Sequence, residues 1–261
     1  TLSLAKRVQR KAKRNALIKR LSAVETLNYT TDIYTDKTGT LTQNEMTVSQ
    51  IYFNNQKLQV TGVGYAPQGE ITADNKALEK NNQDLKELLT AAALCSNARL
   101  LPPNGENNKW IVLGDPTEAC LLVVAEKYGI NLESTSQKLP RIRELPFDSS
   151  RKRMSTIHQG KEDRISYTKG APKEVLEKSQ WIRINGQNEP LSEEKFQEIM
   201  TVNDNYARKG LRVLAVAMRK LTKELDLPRS LGDYTYENIE EEMIFLGLVA
   251  MVDPPRPEVA E

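Results

Sequence analysis

Two apolar runs, "TTDIYTD" near the front of the chain and "MIFLGLVAMVD" near its end, each deliver an aspartate to a turn, Asp36 before Lys-Thr-Gly-Thr and Asp253 before Pro-Pro-Arg. Apolar and β-branched runs closed by turn residues predict buried strands. Two runs of like character, far apart in the chain, predict neighbours in one sheet. Everything from Met46 to about Phe245 is then a domain inserted into a split parent domain. The expected segments are a basic helix at 1–26, a first piece of the parent domain at 27–45, the inserted domain at 46–245, and a return strand and hinge at 246–261. A chain of 261 residues suits two compact units of this kind.

Hydrophobic content of 39% and charged content of 28% describe a folded chain and exclude a disordered one. No apolar run approaches the roughly 18 residues of a membrane span, so a soluble polypeptide is expected. The net charge of +2 hides an asymmetry. Residues 1–20 hold eight basic side chains and no acid, which leaves 29 basic against 35 acidic residues in the remainder. Such an arm suits nucleic acid, anionic lipid or an acidic partner. It carries no aromatic residue for base stacking, so no nucleic-acid partner is expected. The two cysteines, Cys95 and Cys120, sit in apolar helical patterns and read as reduced, buried thiols. His158, the single histidine, reads as a surface or packing residue, and no metal-ligand cluster, internal repeat or secretion signal is present.

Along the chain, Leu4, Val8, Ala12, Leu17, Leu21 and Val24 recur at helical spacing and predict an amphipathic basic helix over 3–24. Short strands are expected through 46–73, with turns at Asn54-Asn55 and Gly62–Gly64, then helices over about 76–98 and 116–128. Asp115 caps the second of these and Pro116 suits its first position. Strands return at "RELPF", "RMSTIHQG" and "RISYTKG". A helix from Pro172 to about Ser179, a strand at "QWIRING", a helix over 192–209, the strand "LRVLAVAMRK" and a loop at 222–238 follow.

A carboxylate attacks phosphorus only where a cation offsets the repulsion of two anions and donors hold the transferred group in line. Asp36 has Lys37 for charge, Thr38 for a hydroxyl and a backbone donor, and Gly39 for close approach of the backbone. A bare "DKTG" is otherwise an ordinary turn; the seven residues of "DKTGTLT" point to chemistry.

That heptapeptide, Asp36 to Thr42, resembles the phosphorylation motif of the P-type cation-transporting ATPases. "GDPTE" at 114–118, "KGAP" at 169–172 and "DPPR" at 253–256 agree in the family's order, and "VTGVGYAPQGE" at 60–70 is similar to the calcium and sodium/potassium pump branch. The resemblance implies a fold of mixed α/β and α+β type: a nucleotide-binding domain, with an antiparallel sheet flanked by helices, inserted into an incomplete α/β phosphorylation domain like that of haloacid dehalogenases. It implies ATP and Mg2+ as cofactors, Asp36 as the phosphorylated residue with Lys37 and Thr38 beside it, and Asp36 with the Thr38 carbonyl as magnesium ligands. It also implies a transported cation, calcium by branch, and a place on the cytoplasmic face of a membrane, with the basic helix at the end of a membrane helix that this sequence does not contain. The expectation is a fragment that binds ATP without full turnover, since the family's later magnesium-binding motifs do not occur. A soluble phosphatase of the haloacid dehalogenase type is the alternative. It is disfavoured because Thr38 stands where such phosphatases carry a second aspartate as acid and base.

For the nucleotide the resemblance implies Phe147 stacked on adenine, Lys152 near the phosphates, Lys169 and Gly170 at the base of the adenine pocket, Glu118 near the adenine amino group and Arg212 at the phosphates. Asp253 and Arg256 are assigned a linking role first and phosphate contact second. Each has a plainer reading: core packing for Phe147, a solvated surface lysine for Lys169, a first-turn glutamate favoured by the helix dipole for Glu118. Two positions depart from the family. Ser149 stands where an arginine is usual, with Arg151 or Arg153 as candidates to replace it, and Lys173 stands where an acid is usual.

Overall fold

The computed structural model describes residues 2–13, 16, 18, 19, 29–73, 76–78, 81–105, 108–222 and 230–260. It divides into two units, 1–41 and 42–261. In the first, helix α1 spans Leu2–Ala12. Residues 14, 15, 17 and 20–24 of the expected basic helix lie outside the described residues. The strand expected to lead into Asp36 is not formed: among the described residues, 30–36 have no strand partner, and they are exposed. An apolar run becomes a strand only where another strand supplies hydrogen bonds, and the expected neighbour is already paired on both edges, as follows.

In the second unit, strands β1 (Thr47–Phe53) and β2 (Gln56–Val60) form a hairpin through Asn54 and Asn55, both at positive φ (50° and 56°). That conformation matches the twist of a two-residue hairpin and suits Asn. The short strands β3 (Ile71–Ala73) and β4 (Lys76–Ala77) extend this edge. Helix α2 (Gln83–Leu94) starts at the Asn82 cap, and a small hairpin, β5 (Arg99–Leu101) with β6 (Ile111–Leu113), leads into helix α3 (Pro116–Lys127) and the two-turn α4 (Leu132–Lys138). Strands β7 (Arg141–Asp148), β8 (Arg153–Gln159) and β9 (Arg164–Gly170) form a meander. Helix α5 (Pro172–Leu176), the hairpin β10 (Ser179–Ile184) and β11 (Gln187–Pro190), and helix α6 (Glu193–Arg208) follow. Strand β12 (Arg212–Leu221), the single turn α7 (Tyr236–Ile239) and strand β13 (Met243–Val252) complete the unit.

Eleven strands make one sheet, in the order β4-β3-β2-β1-β13-β12-β9-β8-β7, with β10 and β11 branching off. All pairings are antiparallel except that of β10 with β13. One edge of β13 is taken by β12 along most of its length, the other by β1 over 248–252 and by β10 over 243–245. No edge remains for residues 30–36, and the boundary expected at 245/246 falls inside this strand. The architecture is therefore mixed α/β, a large antiparallel sheet flanked by helices.

The sheet separates two cores. Helices α2 and α3 cover one face with Leu85, Leu88, Leu121 and Val124 over Ile51, Val249 and Met251. Helices α5 and α6 cover the other with Val175, Ile199 and Tyr206 over Tyr52, Phe245 and Leu248. Strand β13 feeds both faces, which is why its sequence is continuously apolar. Its pairing with β12 slips by one residue between Phe245 and Gly247, and a Cβ on Gly247 would lie 2.4 Å from the Tyr52 carbonyl oxygen and 2.8 Å from Leu88. Glycine is required there by close approach. Among the described residues no helix is long and apolar enough to cross a membrane.

His158, on β8, is a packing residue. It is 1% exposed, its Nδ1 lies 2.9 Å from the Leu139 carbonyl and its Nε2 2.9 Å from Thr156 Oγ1, and its ring packs on Tyr167. Burial pushes its pKa down from 6.5 to about 4. Both cysteines are free and buried, and burial pushes the Cys120 thiol up to about 12 and Cys95 upward as well. The histidine is neutral in the folded chain and charged in the unfolded chain below pH 6.5, so its contribution is intact above that pH and is lost as pH falls towards 4. Urea unfolding at pH 7 and pH 5 should show the parent losing about 2 kcal/mol more than His158→Gln, by the linkage relation.

Candidate functional site

Four chain segments meet at a cavity of about 430 Å³ lined by Asp115, Thr117, Glu118, Phe147, Lys152, Met154, Lys169, Gly170, Ala171, Arg212, Val213 and Leu214. The first wall is the start of α3. Asp115 caps it by accepting from Thr117 N at 2.6 Å, and Pro116 follows at the first helical position. This geometry puts Glu118 in the first turn, where the helix dipole favours a carboxylate.

Glu118 is more than a first-turn acid. Its Oε2 accepts from the backbone nitrogens of Asn97 and Ala98 at 2.6 and 3.1 Å, and its Oε1 accepts from Lys169 Nζ at 2.8 Å. Lys169, on β9, also donates to Ser96 Oγ at 3.0 Å and is 5% exposed. The solvated-lysine reading is thereby excluded. Removing one partner of so enclosed a pair costs about 3–5 kcal/mol, so a loss of binding on truncating Lys169 would be mixed with a loss of fold.

Phe147 lies on the opposite wall and is 61% exposed, which excludes core packing. The cause is local: β7 and β8 pair at Leu145 with Ser155 and again at Asp148 with Arg153, so Pro146 and Phe147 bulge out of register against Met154. Lys152 follows in the turn at φ 51° and bonds to Glu174 at 2.7 Å. That bond raises the lysine pKa and lowers that of the glutamate. Gly170 is needed mainly for the chain itself, since a Cβ there would sit 2.4 Å from Arg153 Cβ and 2.5 Å from the Lys152 carbonyl oxygen. Arg212 opens β12 and donates to Thr117 Oγ1 at 3.0 Å.

The structure thus brings together Glu118, Phe147, Lys152, Lys169, Gly170 and Arg212, and leaves others out. Neither Arg151 nor Arg153 takes the place of the arginine missing at Ser149, because both bind the buried Glu240 at 2.6 Å. Lys173 reaches Glu177 across the surface at 3.7 Å. Asp253 and Arg256 do not line the cavity. Asp253 instead accepts from Thr42 Oγ1 at 2.5 Å and from Glu45 N at 3.2 Å, while Gln43 N donates to the Pro254 carbonyl. These bonds hold the segment before β1 and the segment after β13 side by side. Asp36, Lys37 and Thr38 belong to the first unit, where all three are exposed on a wide turn with Gly39 at φ 77°. Sequence reasoning missed Thr117, Met154, Val213 and Leu214. Their signal was adjacency: each neighbours a chosen residue on the same strand or helix start.

A larger cavity, about 750 Å³, includes Ser96, Ala98, Arg141 and His158 in its lining. Two of its polar groups are already engaged, Arg141 with the carbonyls of Leu94 and Ser96 at 2.7 and 2.6 Å and His158 as above, while Arg99 and Glu133 also line it. The smaller cavity offers an unpacked aromatic ring, cations at its rim and an apolar floor, which fits an adenine nucleotide. Among the described residues no group of three or more His, Cys, Asp or Glu is placed to hold a metal.

The family model for the P-type ATPase cytoplasmic domain N matches residues 84–258. The chain belongs to this family. It is similar to a calcium-transporting ATPase of Bacillus subtilis, 37% identical over 264 residues covering all of this chain and 28% of that protein. A cation-transporting ATPase of Synechocystis is 37% identical over 265 residues, 99% of this chain and 28% of the relative. A calcium-transporting ATPase of Bacillus cereus is 37% identical over 261 residues, 100% of this chain and 26% of the relative. The chain therefore spans little more than a quarter of the length of these P-type relatives.

Because Phe147 is unpacked, Phe147→Ala should leave urea unfolding unchanged within about 0.5 kcal/mol, the range for surface substitutions. A loss of 3 kcal/mol or more, the usual order for a core phenylalanine, would return the ring to the core.

Proposed function

We propose that this chain is the nucleotide-binding domain of a cation-transporting P-type ATPase together with the segment that carries its phosphate acceptor. The observation that carries the reading is the cavity, in which six residues chosen for nucleotide contact from sequence motifs stand together. Adenine stacks on Phe147 and the apolar floor supplied by Met154, Val213 and Leu214. Glu118, oriented by the nitrogens of Asn97 and Ala98 and by Lys169, accepts from the adenine amino group. Lys152 and Arg212 face the phosphates.

The terminal phosphoryl group then passes to Asp36. A carboxylate oxygen forms the new bond to phosphorus while the bond to the bridging oxygen of the leaving diphosphate breaks. Lys37 offsets the negative charge, and Thr38 and the turn at Gly39 present donors to the transferred oxygens. Mg2+ supplies charge neutralisation in such transfers, and Asp36 with the Thr38 carbonyl would hold it. These two ligands form a partial set, in keeping with the waters and phosphate oxygens that this ion retains. In this reading the chain before Thr42 and the residues that follow β13 join this domain to a phosphorylation domain of the haloacid dehalogenase type. The parent protein moves a cation at the cytoplasmic face of a membrane. Calcium is the ion proposed, since relatives from two Bacillus species carry that name.

Calorimetric titration of the 261-residue chain should show ATP binding that weakens at least tenfold in Phe147→Ala. In the whole protein, labelled ATP followed by acid quenching should give a hydroxylamine-sensitive phosphoprotein that disappears in Asp36→Asn. Labelling that survives this substitution would remove Asp36 as the acceptor. Calcium uptake into sealed vesicles tests the ion.

A further inference from the structure

Glu240 is 0% exposed, yet it belongs to neither the cavity nor any family motif read from the sequence. It ends the single turn α7 and holds three side chains of one segment: Arg151 through Nη1 at 2.6 Å to both carboxylate oxygens, Arg153 through Nε at 2.6 Å, and Ser155 through Oγ at 2.8 Å. That segment carries Phe147 and Lys152 to the cavity.

We infer that Glu240 is the positioning residue for the nucleotide site, fixing the 146–153 turn so that Phe147 and Lys152 face the ligand; this rests on the nucleotide reading of the cavity. The link to Phe147 is direct. Arg151, gripped by Glu240 through one nitrogen, donates through the other to the carbonyl of Pro146 at 2.8 Å, one residue before Phe147. The guanidinium also lies 4.9 Å from the ring centre of Tyr236, which fixes its plane. Asp148 closes the turn from within by accepting from the backbone nitrogens of Ser150 and Arg151 at 2.8 and 3.2 Å. On its far side the turn is held by the hydrogen bond from Ala171 N to the Lys152 carbonyl at 2.9 Å and by the absence of a side chain at Gly170.

A bulged, exposed phenylalanine has no packing of its own to hold it. Its position is set by the backbone on either side, and on the Pro146 side the hydrogen bond to that carbonyl runs through Arg151 to Glu240. The arginines that seemed available to replace the one missing at Ser149 act through this carboxylate, at one remove from the ligand. A positioning residue of this kind changes affinity without touching nucleotide.

The test uses the full 261-residue chain, with ATP as the probe. Glu240→Gln and Arg151→Gln should each raise the dissociation constant for ATP about tenfold and abolish the shift that ATP causes in the NMR signals of the Phe147 ring. Lys178→Gln, which breaks the ion pair to the adjacent Glu241 and touches no residue of the turn, should alter neither. If Glu240→Gln does not fold, Arg151→Gln decides, since it leaves Arg153 and Ser155 on the carboxylate. A purely structural role predicts a lower Tm with affinity and ring shifts unchanged well below it, and that result in a folded variant would overturn the inference alone. Failure of the unmodified chain to bind ATP would overturn the nucleotide reading and this inference with it.

Discussion

The second unit depends on one strand that has no solvent face. From Met243 to Met251 every residue of β13 is buried, with neighbours on both edges and helices over both faces. A strand so enclosed fixes its surroundings in register, because a slip of one residue would exchange the side chains assigned to the two cores. The irregularity at Gly247 allows β12 and β1 to run past it at different offsets, and it lets α2 approach closely enough for Leu88 to fill the space a side chain would occupy. Arg212 and Leu214 reach the cavity from β12, which is aligned on β13 by this pairing.

Around the cavity the protein relies on enclosed charge rather than apolar packing. Glu118 ties the start of α3 to the 96–98 segment and to β9, and Glu240 ties the end of α7 to the 151–155 segment. Each carboxylate joins pieces of chain distant in sequence and is surrounded by donors. Such pairs contribute little net stability against an apolar alternative of the same shape. What they provide is direction: a charge held by several donors tolerates few arrangements of its neighbours. The polar wall of the cavity is thus set to a defined geometry before any ligand arrives.

Much of this was legible in the sequence. The strands expected at "RELPF", "RMSTIHQG" and "RISYTKG" form the β7–β8–β9 meander, the Asp115-Pro116 pair marks the start of α3, and six residues chosen for the nucleotide share a cavity. The failures have physical causes. The apolar run at 30–35 reads as a strand, but periodicity does not name a partner, and β13 had none to offer. Glu240 sits in "NIEEEM", which reads as a solvated charge run; only its contacts with residues some ninety positions away reveal it as buried. Arg151 and Arg153 look like replacements for the nucleotide contact missing at Ser149 for the same reason, since sequence shows charge but not where it is neutralised.

The pairing of Thr42 with Asp253 and of Gln43 with Pro254 brings the segment before β1 and the segment after β13 within hydrogen-bond reach. A chain that leaves a domain where it entered has, from the outside, the topology of a turn. Closing a long flexible loop carries an entropy cost that grows with the logarithm of its length; a folded insert with joined ends presents its flanks with a short, pre-closed connection instead. Within the second unit, Thr42 and Pro255 are therefore held side by side as though everything between them were a hairpin.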